Sequence, residues 1–428
     1  MQEIKTDIVI VGSGAGGATL AKELSGGTKQ VVLLEQGPFL DEESFGTEIL
    51  AYNFYDKHGL WSKTAEGVFY YRTLMAGGTT VVSCANALQT PKKEQERLGI
   101  DLEEYFTEAK KDLCVTILPE SFLKEGSRKI MEVAEKLGYQ MSPMPKAINF
   151  SACISCGNCI LGCKTGAKWS SLNFIKDAQK KGVIFINNTQ IDRVLLEDGY
   201  AIGVQGHSNI GERIIIHSRI VVLAAGGIGT PIILQNSGIA AGQSLFLDLF
   251  TVTIGLTSNI SLTGEIPMSL FYQEDGFILS TFIDTPMVAA SVIPAALRKT
   301  LKLTQRDRMV GIMVKIADDT KGKVSADGII YKTITDKDKE KLCKGQTIAK
   351  NILINSGADP KTILVSRIRG AHPGGTAAIG EVVDTNLETK IKRLFVCDCS
   401  VLPTAPGLPP ILTIVALAKR LSQYLKRI

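Results

Sequence analysis

Four cysteines are the densest chemistry in the sequence. Cys153, Cys156, Cys159 and Cys163 stand in a C-x2-C-x2-C-x3-C run. Thiolates two residues apart can cap neighbouring corners of one iron–sulfur cubane, and Gly157 and Gly162 relax the backbone between them. Four thiolates also close a tetrahedral zinc site, the second reading, and unligated thiols are the third. All four are taken here as ligands of a [4Fe-4S] cluster. In two-cluster ferredoxins the last cysteine of this spacing serves the other cluster, so Cys84 or Cys399 is the alternative fourth ligand. The remaining cysteines are scattered, which argues against a disulfide framework.

A second constellation can hold phosphate. Gly12-Ser-Gly14-Ala-Gly-Gly17 follows the β-branched run at 7–11, and small and apolar residues continue at helical spacing to Leu24. In such a turn Gly12 permits the bend, Gly14 lets backbone approach a pyrophosphate, and Gly17 lets the helix lie close on the sheet. The helix start favours negative charge through its unpaired N–H groups and its dipole. Glu35 ends the next apolar strand, about twenty residues on, where a carboxylate accepts from both ribose hydroxyls and repels a 2′-phosphate. NADP is therefore disfavoured; FAD and NAD both fit. A further turn, Gly77-Gly78-Thr79-Thr80, brings backbone close to a flat ring or a phosphate.

Histidine is scarce. His58, His207, His217 and His372 are the full set, and His372 alone sits in a patterned stretch, His-Pro-Gly-Gly-Thr. An imidazole titrates near neutrality and suits proton transfer; taken alone, each is as readily a buried hydrogen-bonded side chain. Met268, Leu270, Phe271, Phe282, Met287 and Val288 would suit an apolar pocket but read more readily as core.

Positioning these groups requires an α/β scaffold. The chain has 428 residues, enough for two or three domains. Apolar strands at 7–11, 31–34, 183–186, 219–225 and 394–398, with helices between, predict a nucleotide-binding domain from 1–90, 150–238 and 370–428, carrying the cysteine loop at 151–168. Helices at 102–115 and 127–137 form an excursion over 91–149. Alternating strands at 245–256, 267–272, 277–282 and 310–316 predict an antiparallel-sheet domain over 239–369, with a helix at 336–356. Thr230-Pro231 would open a helix. An aromatic-rich stretch with Tyr52, Phe54, Tyr55, Trp61, Phe69, Tyr70 and Tyr71 is either core packing or a ligand lid. The net charge of +5 is spread along the chain, so no nucleic-acid partner is expected. No uninterrupted apolar stretch of about eighteen residues occurs, so no transmembrane segment is expected, and the early first strand predicts a cytoplasmic protein without a leader.

Four stretches, in order, resemble the glucose-methanol-choline (GMC) family of flavoprotein oxidoreductases. They are 12–35, 72–80, Thr230-Pro-Ile-Ile-Leu-Gln-Asn-Ser-Gly238, and the run from His372-Pro-Gly-Gly-Thr376 through Val383-Asp384 and Val396-Cys-Asp398 to Thr413. The resemblance implies a Rossmann-like FAD-binding domain with an inserted antiparallel-sheet substrate domain. It also implies FAD at the domain interface and oxidation of an alcohol-type carbon by hydride transfer to flavin N5. It places His372 beside N5 to take the hydroxyl proton and Asp398 against the ribityl and phosphate region. Gly12, Gly14, Gly17, Glu35, Gly77, Gly78, Thr79 and Pro409 then surround the cofactor. Where the family presents a second active-site His or Asn, this chain has Gly407-Leu-Pro409-Pro410, and proline can neither bond an alkoxide nor accept its proton. Ser83 stands where many members place Asn, and the chain is shorter than typical members. Some relatives carry an iron–sulfur cluster near the flavin, which implies that the cysteine loop lies close to FAD.

Taken together, the residues and the resemblance predict an FAD-dependent oxidoreductase for a small alcohol or carbonyl substrate. Electrons would pass singly through the [4Fe-4S] cluster to or from a separate electron-carrier protein, with a non-oxygen acceptor. The direction stays open. The alternative is an electron-transfer flavoprotein subunit with no chemistry at carbon, which the two prolines favour; a zinc-stapled flavoprotein is the third reading.

Overall fold

The computed structural model describes residues 2–51, 54–56, 62–274, 276–293 and 303–428; Tyr52, His58 and Trp61 lie outside them. Gln2–Val11 pairs in parallel with Val31–Leu34 and with Arg213–Leu223, as a β-branched run buried on both faces does. Ile184–Ile186 adds a further parallel strand beside Val31–Leu34. The strand expected at 219–225 is the end of a longer one, Arg213–Leu223. Its first half pairs antiparallel with Tyr200–Ser208, and its last three residues pair in parallel with Leu394–Val396. With Thr189–Glu197 these make a seven-stranded sheet. Helices Ala15–Leu24 and Ile411–Arg427 pack together over it, and the approach is close. A Cβ on Gly17 would stand 1.8 Å from the Gly12 carbonyl oxygen, and one on Gly16 as near to that of Cys397.

The helix expected to open at Thr230-Pro231 instead spans Gly226–Asn236 and carries Pro231 inside it. Proline has no N–H to return to the carbonyl four residues back. That carbonyl, of Gly227, accepts from Thr376 Oγ1 at 2.8 Å, so the break in the ladder is closed from outside the helix.

A second, eight-stranded sheet runs in the order Phe69–Tyr70, Arg369–Gly370, Leu249–Leu256, Met309–Ile316, Phe277–Thr281, Leu270–Glu274, Ser142–Pro143, with Leu364–Val365 also paired to Leu249–Leu256. It is antiparallel except where Arg369–Gly370 meets Phe69–Tyr70. Leu249–Leu256 and Met309–Ile316 are buried throughout, so the sheet is covered on both faces rather than on one. Alternation divides them. Leu279, Val310, Ile312 and Val314 share a core with residues of helix Asp336–Asn355, and Phe250, Val252, Ile254, Ile278 and Met313 form the opposite face. Lys315 has the parity of that second face. The strand expected at 245–256 begins only at Leu249 because Asp248, at φ 50°, holds the left-handed conformation. Among the described residues no helix is long and apolar enough to cross a membrane.

Candidate active site

A cavity of about 430 Å³ lies between the two sheets. One end is made of glycine turns. Ser13, inside the 12–17 turn, donates N–H and Oγ–H to Glu35 Oε2 at 3.0 and 2.7 Å, and its Oγ accepts from the Gly77 N–H at 3.0 Å. Glu35 thus locks both turns from behind, and burial pushes its carboxyl above the ordinary range despite these donors. The turns meet closely: a Cβ on Gly78 would stand 3.2 Å from Gly14 Cα. Gly14 itself has nothing within 4 Å of its Cβ position, an open cradle at the start of a helix that fits a pyrophosphate.

At the other end His372 faces the cavity from the segment after Arg369–Gly370. Its backbone N–H and that of Ala371 both donate to Leu247 O, at 3.0 and 2.8 Å. Its Nδ1 lies 2.8 Å from Asp248 Oδ2, and Asp248 Oδ1 accepts from Gly407 N–H at 2.9 Å. Asp248 is fully buried, and burial raises its pKa to about 7, opposed chiefly by the Lys315 cation. Burial, then Lys315, hold His372 well below its ordinary value. The imidazole is therefore neutral, its Nδ1–H assigned to Asp248 by the short contact, and Nε2 keeps the lone pair. The left-handed turn is clamped in its own right. Leu247 and Leu249 donate their N–H groups to Asp318 at 3.1 Å each, and Lys332 Nζ pairs with Asp318 at 2.6 Å.

Three further buried groups escaped the sequence reading, Lys315 and Arg369 on the wall and Asp248 behind His372. Asp248 and Lys315 are single charges inside apolar runs, a pattern that signals a paired or functional group. Arg369 makes a bidentate pair with Asp284 at 2.8 and 2.9 Å, donates to Tyr71 Oη at 3.1 Å and stacks over Phe250. Of the residues singled out from the sequence, Gly12, Gly14, Glu35, Gly78, Thr79, His372, Asp398 and Pro409 line the cavity. Gly17 and Gly77 stand behind the turns. Asp398 spends its carboxylate inside the protein, accepting from Gly226 N–H, Thr230 Oγ1 and Ser400 N–H, so its task here is to hold the start of helix Gly226–Asn236. Met268, Phe282 and Val288 line the apolar half, while Leu270 is fully buried in the core; the side chain of Met287 lies outside the described residues.

The cysteine loop adjoins the cavity without lining it through sulfur. Ile160 reaches the wall, and Lys168 ties the loop to the glycine turn by donating to Val81 O, Ser83 O and Cys159 O. Among the described residues no three Cys, His, Asp or Glu side chains converge as a metal site requires. The cluster expected at Cys153, Cys156, Cys159 and Cys163 is not assembled by these positions. Cys156 is exposed, and Cys163 Sγ accepts a hydrogen bond from the Lys168 N–H at 3.4 Å. No reaction step is derived through a cluster or a zinc ion at these positions.

A Rossmann-like sheet and an antiparallel sheet closing on one cavity, with a phosphate cradle and a neutral imidazole at its ends, define an oxidoreductase fold. Models of the GMC oxidoreductases match residues 7–259 and 289–418, and the chain belongs to the GMC oxidoreductase family. It is 30% identical over 418 residues to an uncharacterized protein of Methanocaldococcus jannaschii, covering 97% of this chain and 98% of that one. It is 25% identical over 509 residues to a long-chain-alcohol oxidase of Arabidopsis thaliana, covering 97% of this chain and 67% of the other. Among solved structures the fold matches a pyridoxine 4-oxidase from Mesorbium loti (TM-score 0.76, 14% identity, 99% of each chain). It also matches an Aspergillus oryzae formate oxidase (TM-score 0.78, 14% identity, 100% of this chain and 99% of that one).

Proposed function

We propose that this chain is an FAD-dependent oxidoreductase acting on an apolar alcohol or the matching carbonyl compound. The observation that carries the reading is the neutral His372 imidazole, oriented by Asp248 at 2.8 Å in the same cavity that ends in the glycine cradle. FAD is supported by that cradle, by the Glu35–Ser13 lock behind it, and by membership of the family. When bound, a flavin supplies a two-electron acceptor for the hydride of a carbinol carbon. His372 Nε2 takes the hydroxyl proton as the carbonyl forms, and Asp248 steadies the resulting imidazolium through Nδ1–H. In the reverse direction the same imidazolium returns the proton. Phe250, Met268, Phe282, Val288 and Met313 exclude water from the substrate half, and the long-chain-alcohol oxidases among the relatives favour an apolar substrate. Residues 1–90, 150–238 and 370–428 serve as the cofactor domain and 239–369 as the substrate domain.

The electron acceptor divides the supports. The relatives' names speak for oxygen; the cysteine spacing speaks for a [4Fe-4S] cluster and a carrier protein, and nine free thiols fit a reducing cytoplasmic compartment. Chromatography of the released flavin, with turnover of straight-chain primary alcohols under oxygen or an artificial one-electron acceptor, tests the reading. FAD and turnover support it, whereas a protein that holds no flavin rejects it. Iron with acid-labile sulfide in anaerobically purified protein would support the cluster; zinc or no metal would remove it.

A further inference from the structure

Among the described residues five lysines are buried: Lys146, Lys168, Lys315, Lys332 and Lys419. Four have full shells. Lys146 donates to Cys84 O, Asn86 Oδ1 and Pro267 O at 2.9, 2.6 and 2.7 Å. Lys168 holds backbone carbonyls, Lys332 pairs with Asp318, and Lys419 pairs with Glu23 and Asp112. Lys315 differs. It is 2% exposed, and among the described residues no carboxylate lies within 4.0 Å of its Nζ. Among the described residues its one hydrogen-bonding contact is His372 Nδ1 at 3.5 Å, a nitrogen already committed to Asp248 at 2.8 Å. An ammonium has three N–H donors and no acceptor, and a buried one left without acceptors is strongly disfavoured.

The missing acceptor lies in the direction the strand dictates. Lys315 shares the parity of Met313, is in register with Phe250, and lines the cavity with both and with His372. Pro409 and Pro410, also on that wall, have no N–H to offer an oxygen. We propose that Lys315 is a second substrate-contacting group, its ammonium holding the alcohol oxygen while His372 Nε2 takes that oxygen's proton. This deepens the reading above and rests on it. No net charge need enter the cavity for it to work: the proton moves from oxygen to imidazole, the developing alkoxide is matched by the ammonium, and the imidazolium by Asp248. Burial lowers the Lys315 pKa against the opposing pull of Asp248, so the ammonium, and the contact with it, is lost at a lower pH than for an exposed lysine. The groups facing Lys315 are Asp248 on the turn before strand Leu249–Leu256, the adjoining His372 and the Cys84 thiol.

The test uses the flavin-loaded protein and 2,2,2-trifluoroethanol, an alcohol whose hydroxyl is acidic, with binding read by calorimetry and by perturbation of the flavin spectrum. Lys315→Met keeps the apolar stem and should retain flavin and melting temperature. It should weaken trifluoroethanol binding by about tenfold or more, the size of one charge-assisted contact, and abolish the alkaline loss of affinity. Lys315→Gln, which keeps an N–H donor, should recover part of the affinity without the pH limb, and it carries the measurement if the methionine variant does not fold. Equal trifluoroethanol affinity in wild type and variant overturns the assignment, as does loss of flavin with trifluoroethanol affinity unchanged, which would put the acceptor on the cofactor. Flavin-loaded wild type that binds no trifluoroethanol overturns the alcohol reading itself, and the assignment with it.

Discussion

Two side chains from separate segments, His372 and Asp248, do most of the work at the residue scale. His372 was legible in the sequence because it sits in His-Pro-Gly-Gly-Thr; its partner Asp248 was not, because a lone acid between two leucines resembles a strand interrupted by a turn. Only the left-handed φ at Asp248 brings carboxylate and imidazole together. The pH dependence follows from their different environments. His372 is held well below its ordinary value, so it does not take up a proton near neutrality, whereas Asp248 is raised to about 7. As pH falls through that value Asp248 gains a proton, Nδ1–H loses its acceptor, and turnover should fall on the acid side. The profile of kcat/KM against pH in Asp248→Asn should be lower by about 100-fold or more and should lack that acid limb. An unchanged limb in the variant would assign it to another group.

Elements explain why the glycines are where they are, and they separate binding from packing. A methyl at Gly17 runs into the Gly12 carbonyl, whereas one at Gly14 enters open space. Gly17→Ala should therefore cost about 1–3 kcal/mol of stability, seen in a denaturant melt. Gly14→Ala should melt as wild type yet retain less flavin. The motif alone could not make this distinction, since both glycines belong to one pattern. The clamp under the Asp248 turn is also an element-level device: Asp318, from the segment after Met309–Ile316, accepts from both residues flanking Asp248 and pairs with Lys332, both ions being fully buried at the side chain. Asp318→Asn leaves a buried ammonium unpaired, which costs about 3–5 kcal/mol, and should slow turnover even where the protein stays folded. Thermal melts with matched kinetics check both parts. The sequence reading missed this clamp because it joins 247–249, 318 and 332, which no local spacing relates.

On the scale of the molecule, the chain winds the nucleotide sheet, leaves to build the second sheet, and returns through Leu394–Val396 and Ile411–Arg427, so that the cavity is walled by segments far apart in sequence. The glycine turns, the apolar strands and their order were readable, because each depends on neighbours a few residues away. The doubly covered second sheet was not, because burial on both faces of Leu249–Leu256 and Met309–Ile316 erases the alternation that marks a strand's sides, and the buried charges were not, because their partners are distant in sequence. The cysteine loop is the converse case: its spacing is explicit, while the placed sulfurs do not converge. What unites the molecule is a single claim, that His372 removes a proton from an alcohol beside a bound flavin. Anaerobic mixing of the flavin-loaded protein with a primary alcohol tests it most directly, in wild type and in His372→Gln matched for flavin content. The visible absorbance should bleach in one turnover in wild type and at least about 100-fold more slowly in the variant. Bleaching at equal rates in both would contradict the account.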